Sequence, residues 1–284
     1  MNIIIFSDLH GRILLAFKLV KRLEQERGIK IDLILQCGDV GIFPDINQLD
    51  KATLRHAKRD RSELGFYDYF VQENVVTTEV LKDLACDCIC VRGNHEDHDF
   101  LNALEKETQE PRYFVDHYQK IAVCKTGHLQ QFTFNDASLN VMGIGRIGDR
   151  KGRTDDRFIQ SYERKALSKS YKHKVPTDIL LTHDSAKDFI TNDFGMQEIR
   201  DYLTIKKPTL HFFGHTGTPH QQVLDDNGRT LSVKVAELEF KDSDILPYGS
   251  MLLLDWNTAS DYRLEVVDDA WFREYGSSTW NHIS

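Results

Sequence analysis

The sequence predicts a single α/β domain built on two packed β-sheets with helices outside them. Short apolar runs at residues 2–6, 31–35, 89–91, 179–181 and 210–213 each give way to a polar turn, the pattern of buried strands whose carboxyl ends carry a site. Leu14, Leu15, Lys18, Leu19, Arg22, Leu23 and Glu26 recur at helical spacing directly after the first of these turns. From Thr209 onward the chain turns strand-rich and holds a hairpin signal at Asp226-Asn227-Gly228.

The chain opens on the strand at 2–6, and residues 12–27 form a helix that packs on the sheet and stops at Gly28. After the strand at 31–35 comes a charged stretch, residues 45–79, read as a helical insertion into the one domain spanning residues 1–284. Its Lys51, Arg55, His56, Lys58, Arg59, Asp60 and Arg61 fit a solvated helix face. The sharper alternative is that the insertion overhangs the site and offers these cations with Phe66, Tyr67, Tyr69 and Phe70 behind them as a nucleotide platform.

The strand at 89–91 follows, with Cys86, Cys88 and Cys90 alternating as packing residues. Gly143, Gly145 and Gly148 bracket Arg146, and Arg150, Lys151, Arg153 and Arg157 come close behind. Glycines there allow sharp turns, and Arg146 is the expected substrate contact, although Asp149, Asp155 and Asp156 offer the cations surface partners. A helix at 157–171, a strand at 179–181, a loop or short helix at 186–193 and a helix at 197–204 come next. Strands at 210–213, 230–236, 251–254 and 262–266 complete the chain and are assigned to a second sheet, packed face to face with the first.

Composition narrows the function. A chain of 284 residues with 40% hydrophobic content buries a sizeable core, and no apolar stretch approaches the length that spans a bilayer. The chain enters a strand at once, so no cleavable signal sequence is expected. Cys37, Cys86, Cys88, Cys90 and Cys124 are odd in number and unevenly spaced, which fits a reducing cytoplasm better than a disulfide framework. A net charge of −8 disfavours grip on long duplex nucleic acid, though bound metals would add local positive charge that the formula omits.

The turns carry the chemistry. They read Asp8-Leu9-His10-Gly11, Gly38-Asp39-Val40-Gly41, Gly93-Asn94-His95-Glu96, Thr182-His183-Asp184 and Gly214-His215-Thr216-Gly217. Carboxylate, imidazole and amide oxygen suit manganese, iron, zinc or nickel. Two such cations at roughly 3.5–4 Å clamp a phosphate ester and ionise a water, and Asp39 is the candidate carboxylate shared between them.

In this order the motifs resemble the calcineurin-like metallophosphoesterase superfamily from Asp8 to His215. The resemblance implies a four-layer α/β/β/α sandwich of two packed mixed sheets with flanking helices. It implies that Asp8, His10 and Asp39 hold a first divalent metal ion and that Asp39, Asn94, His183 and His215 hold a second. His95 is then free to assist the leaving oxygen, with Asn94 and His95 beside the substrate. One position departs: the family ends its last motif with a second histidine, and Gly217 stands there, so the first metal site is expected to be weak, completed by water, or served by His220.

The stretches 32–39, 47–70, 143–148, 178–184 and 207–215 further resemble the RNA lariat debranching enzymes, which keep the last histidine but depart at the first Asp-x-His motif that is intact here. The leading expectation is a phosphodiesterase acting on nucleotides or on short or branched RNA. The alternatives are a protein or metabolite phosphatase using the same site, and a nucleotide-binding regulatory protein with an attenuated first metal site. The remaining histidines, His56, His117, His128, His173, His211 and His282, read as surface or hydrogen-bonded core groups, with His98 on the site rim.

Overall fold

The computed structural model describes residues 1–240 and 244–283. In chain order its elements begin β1 (Asn2–Phe6), α1 (Ile13–Arg27), β2 (Leu33–Gln36), α2 (Lys51–Ala57), α3 (Gly65–Phe70), α4 (Val75–Leu81), β3 (Asp87–Cys90) and α5 (His98–Glu107). They continue β4 (Arg112–Phe114), β5 (Ile121–Cys124), β6 (Leu129–Phe134), β7 (Ala137–Ile144), α6 (Ser161–Ser170), β8 (Ile179–Thr182), α7 (Gln197–Lys206) and β9 (Leu210–Phe213). The last are β10 (Gln221–Leu224), β11 (Leu231–Lys234), β12 (Leu252–Thr258) and β13 (Asp261–Val266), and short 3-10 turns lie at Arg61–Leu64 and Ala270–Glu274.

The strands form a seven-stranded sheet, β13-β12-β1-β2-β3-β5-β4, and a six-stranded sheet, β10-β11-β9-β8-β7-β6. Both are mixed: β1, β2, β3 and β5 run parallel in the first, and β11, β9, β8 and β7 in the second. Strand alternation then builds the layers. Ile3, Ile5, Leu33, Leu35, Ile89 and Val91 of the first sheet meet Val141, Ile179, Leu181, Leu210 and Phe212 of the second in one core. Ile4, Phe6, Ile34, Cys88 and Cys90 face the opposite way, onto α1 and the insertion. Met142, Ile144 and Leu180 turn outward onto Leu167 of α6 and Ile199, Tyr202 and Leu203 of α7. The result is the expected α/β/β/α order.

Helix α1 ends as its sequence predicts, with Gly28 at φ 61° taking the left-handed cap that an L side chain resists. The second sheet is a correction to the expectation: it begins with β6 and β7, well before Thr209, while β12 and β13 return to the first sheet beside β1. Apolar runs mark strands without naming partners, and β6 alternates buried with exposed residues rather than forming such a run. The insertion is helical, and its Lys51, Arg55, His56, Lys58 and Arg59 are exposed. Phe66 and Phe70 lie buried against Phe17 of α1 and anchor the insertion to the core, which corrects the platform for those two rings, while Tyr67 is exposed. All five cysteines are buried free thiols. Among the described residues no helix is long and apolar enough to cross a membrane.

Trp256 joins the two sheets. It sits buried on β12 with its indole N–H donating to the Ser138 carbonyl of β7 at 3.1 Å. Trp256→Phe keeps most of the apolar surface but strands that carbonyl, and is expected to cost about 1–3 kcal/mol in denaturant unfolding. An unchanged midpoint would show that the contact does not couple the sheets.

Candidate metal centre

All five motif turns meet at one edge of the double sheet because β1, β2, β3, β8 and β9 end there. The first two loops continue the ladder of their strands: Asp8 N–H donates to Gly38 O (3.1 Å), His10 N–H to Asp39 O (2.9 Å) and Gly11 N–H to Val40 O (2.8 Å). In the second sheet Gly214 N–H donates to His183 O at 3.0 Å. These tight turns put Asp8, His10, Asp39 and His215 at φ between 43° and 63°, the left-handed region. Such non-glycine conformations cost of order 1–3 kcal/mol each and cluster where side chains must be aimed.

The glycines of these motifs admit close approach. A Cβ on Gly93 would lie 1.9 Å from Asp39 Oδ1, and one on Gly214 would lie 1.9 Å from Ser7 Oγ and 2.3 Å from Asp8 Oδ2. Gly11 and Gly65 press backbone on backbone, so the insertion is seated directly on the first loop.

Among the described residues two ligand groups result, each with donor atoms within 4.8 Å of one another: Asp8, His10 and Asp39, and Asp39, His183 and His215. Asp39 belongs to both. His183 Nδ1 lies 2.9 Å from the Cys37 carbonyl, which can only accept, so Nδ1 carries a proton and Nε2 faces Asp39 Oδ2 at 3.3 Å and Asn94 Oδ1 at 3.1 Å. Fixing one imidazole nitrogen on a backbone carbonyl is how a protein aims the other at a cation. The His183 and His215 rings stand 4.8 Å apart, and Asp8 accepts the backbone N–H of His215.

The field also favours positive charge. Burial opposes a charged His183, yet the Asp39 carboxylate overrides it and pushes the imidazole up to about 9. Burial likewise opposes ionised Asp39, but His183, His10 and His95 hold its carboxyl well below the usual range. This donor set fits divalent cations with mixed oxygen and nitrogen preference.

His95 shares the site without joining either group. Its backbone N–H donates to Asp39 Oδ1 at 2.8 Å, and its ring lies 5.7 Å from that of His10. Its Nδ1 meets Asp50 Oδ2 at 3.0 Å. Sequence pattern alone gives Asp50 no role at the site. It caps α2 by accepting from Ala52 and Thr53 N–H, and the insertion thereby reaches the site. Burial opposes both charges, but the pair raises the His95 pKa and brings Asp50 down to about 2. The Asp50-Lys51-Ala52-Thr53 cap pattern was a legible signal for the helix start, not for the histidine it holds.

Glu96 was also missed as a residue with a role. Fully inside the protein, it accepts from Val40 N–H (2.9 Å) and Ile42 N–H (2.7 Å), tying the second loop to the third. Burial first, then the Asp39 charge, pushes it up to about 7.

Other expectations change or gain a physical account. Arg146 is wholly buried, with its guanidinium on Glu163, the Asp156 carbonyl, Asn102 and Tyr162, so it braces α6 and does not reach a substrate. The glycines beside it serve packing: a Cβ on Gly143 would meet Cys124 Cβ at 2.8 Å. His220 does not enter either ligand group, because its Nδ1 lies 2.8 Å from the Lys234 carbonyl and its Nε2 meets the Gln222 amide. At Gly217, φ is 60° and among the described residues a Cβ would meet only Glu237 Oε1, at 3.6 Å, so space is open there although the left-handed backbone strains any L side chain. His98 opens α5 with both ring nitrogens buried and unpartnered, and burial together with Arg146 and Arg92 pushes it down to about 3.

Gly93→Ala is expected to displace Asp39 and strip both cations while the core stays folded. Metal content by plasma mass spectrometry, beside circular dichroism, checks this; two retained cations would contradict the close packing as its cause.

Residues 1–219 match the calcineurin-like phosphoesterase family. No protein with a curated description matches the chain. Among solved structures, TT1561 of Thermus thermophilus is similar at 18% identity and a TM-score of 0.51, over 94% of this chain and 98% of that one. GAP50, the anchor in the inner membrane complex of Plasmodium, is similar at 11% identity and a TM-score of 0.50, over 100% of this chain and 93% of that one. At such identities the two share the fold alone. With its converging ligand groups and a family match over most of its length, the chain belongs to the calcineurin-like phosphoesterases, metal-using hydrolases of phosphate esters.

Proposed function

We propose that the chain is a phosphodiesterase acting on nucleotide or short or branched RNA esters. One observation carries the reading: the ligand array has a cavity at each end. One, of about 220 Å³, is bounded by His10, His95, Thr53 and Glu63. The other, of about 520 Å³, is bounded by His215, Asp184 and Arg150. A diester carries two organic arms and a monoester one, so two cavities flanking one centre favour the diester. The likeness of residues 47–70 and 207–215 to lariat debranching enzymes supports RNA among the substrates.

In this reading Asp8, His10 and Asp39 would hold one cation, and Asp39, Asn94, His183 and His215 the other. Manganese, iron, zinc and nickel all suit the donors. When bound, such cations supply Lewis-acid charge for the phosphoryl oxygens and lower the pKa of an attacking water. The chain's own contribution is orientation and a proton. A carboxylate only accepts, so Asp50 holds one His95 proton at Nδ1, and its charge favours the doubly protonated ring, whose Nε2–H is then the proton for the leaving oxygen. Glu96 holds the two loops that carry Asp39 and His95 in register.

Metal-stripped protein, reloaded with manganese, nickel, zinc or iron, is expected to cleave bis-p-nitrophenyl phosphate in preference to p-nitrophenyl phosphate. Preference for the monoester would move the reading to a phosphatase. Asp50→Ala is expected to leave metal content unchanged and to slow esters of poor leaving groups by about tenfold or more, with p-nitrophenyl esters much less affected. An equal loss for both leaving groups would remove the His95–Asp50 pair from leaving-group assistance.

A further inference from the structure

The larger cavity has features that the hydrolytic centre does not require. It lies between the loop leaving β7 and the loop leaving β8, with His215 at its inner edge. Its frame is braced: Gly148 N–H donates to Asp184 Oδ2 at 2.9 Å, Ile147 bridges Phe158, and Ala186 bridges Met196. A Cβ on Gly148 would approach the Gly195 carbonyl to 3.0 Å, so the two loops pack backbone on backbone.

Three arginines line this cavity, and they are not equivalent. Arg153 pairs with Asp149 at 2.6 Å and Arg157 with Asp155 at 2.8 Å. Arg150 has no carboxylate partner among the described residues; its guanidinium lies 3.7 Å over the ring of Phe194. Phe194 is 50% exposed, so part of its ring is open on the cavity side to a ligand. An exposed aromatic with an unneutralised, planar cation laid on it offers both halves of a nucleotide contact: a stacking surface for a base and N–H donors for a phosphate. The cavity volume falls in the range of about 300–1,000 Å³ usual for small-molecule sites, larger than a bare phosphate needs.

We infer that this cavity is a nucleotide subsite, in which Arg150 takes a phosphate and Arg150 with Phe194 stacks the base, next to the scissile ester. The inference rests on the phosphodiesterase reading for its place in turnover, but the binding it describes stands apart from cleavage. The net charge of −8 and the neutralised state of the flanking arginines limit the subsite to one or a few nucleotides.

The test compares Arg150→Ala and Phe194→Ala with the parent in the metal-loaded full chain. Two substrates are used: the p-nitrophenyl ester of thymidine 5′-phosphate, which carries a base, and bis-p-nitrophenyl phosphate, which does not. Calorimetric binding of AMP and of inorganic phosphate is measured alongside. Each variant is expected to lose roughly five- to a hundredfold in kcat/KM for the nucleotide ester and in AMP affinity, with a clearly smaller loss for the simple diester, whose nitrophenyl arm enters the same cavity but brings no base. Equal losses on both substrates, or no loss on either with AMP affinity unchanged, would overturn the subsite. If the parent cleaves no diester but both variants lose AMP affinity, with Phe194→Ala keeping phosphate affinity, the subsite stands and the phosphodiesterase reading falls.

Discussion

The carboxylate of Asp39 is the point on which the rest of the site depends. It stands at the end of a strand in the first sheet, takes the backbone N–H of His95 from the next strand's loop, and lies 3.3 Å from His183, which comes from the second sheet. One buried negative charge thus ties three loops and both sheets. A buried carboxylate is tolerable only where positive charge and donors converge on it. The convergence that Asp39 demands for its own solvation is the same convergence that forms the two candidate ligand groups.

That requirement explains the backbone. To bring Asp8, His10, Asp39 and His215 within a few ångströms, the loops bend into left-handed conformations, and Gly93 and Gly214 give up the space that a methyl group would occupy. The strain is carried by rigid neighbours: the two-sheet core on one side and, on the other, the insertion, whose backbone lies against Gly11. The insertion is part of the site's support as well as its cover, since the same helix start that needs Asp50 as a cap holds His95.

Much of this was legible in the sequence. The strand runs, the helix ending at Gly28 and the ligand motifs depend on local pattern, and local pattern is what a sequence displays. Asp39 stands out because a shared carboxylate is an economical way to hold a pair of cations, and the structure places it in both candidate ligand groups. What escaped depends on distant partners. Arg146 looked like a loop cation because glycines flank it, but those glycines admit Cys124 and Arg92, and its guanidinium turns inward to Glu163. Asp50 and Glu96 act across 45 and 56 residues of chain, separations at which no spacing rule speaks. Sheet membership failed for the same reason: β12 has the pattern of a strand, but only the fold shows it beside β1. Arg150 differs from Arg153 and Arg157 by the acid each finds nearby, which composition averages away.

The claim that a single shared carboxylate organises two cations is tested most directly by counting them. Manganese titrated into metal-free protein, followed by calorimetry and by metal analysis after gel filtration, should show two ions per chain, and Asp39→Asn should lose both together. Two ions retained by Asp39→Asn, with unchanged affinity, would contradict the account.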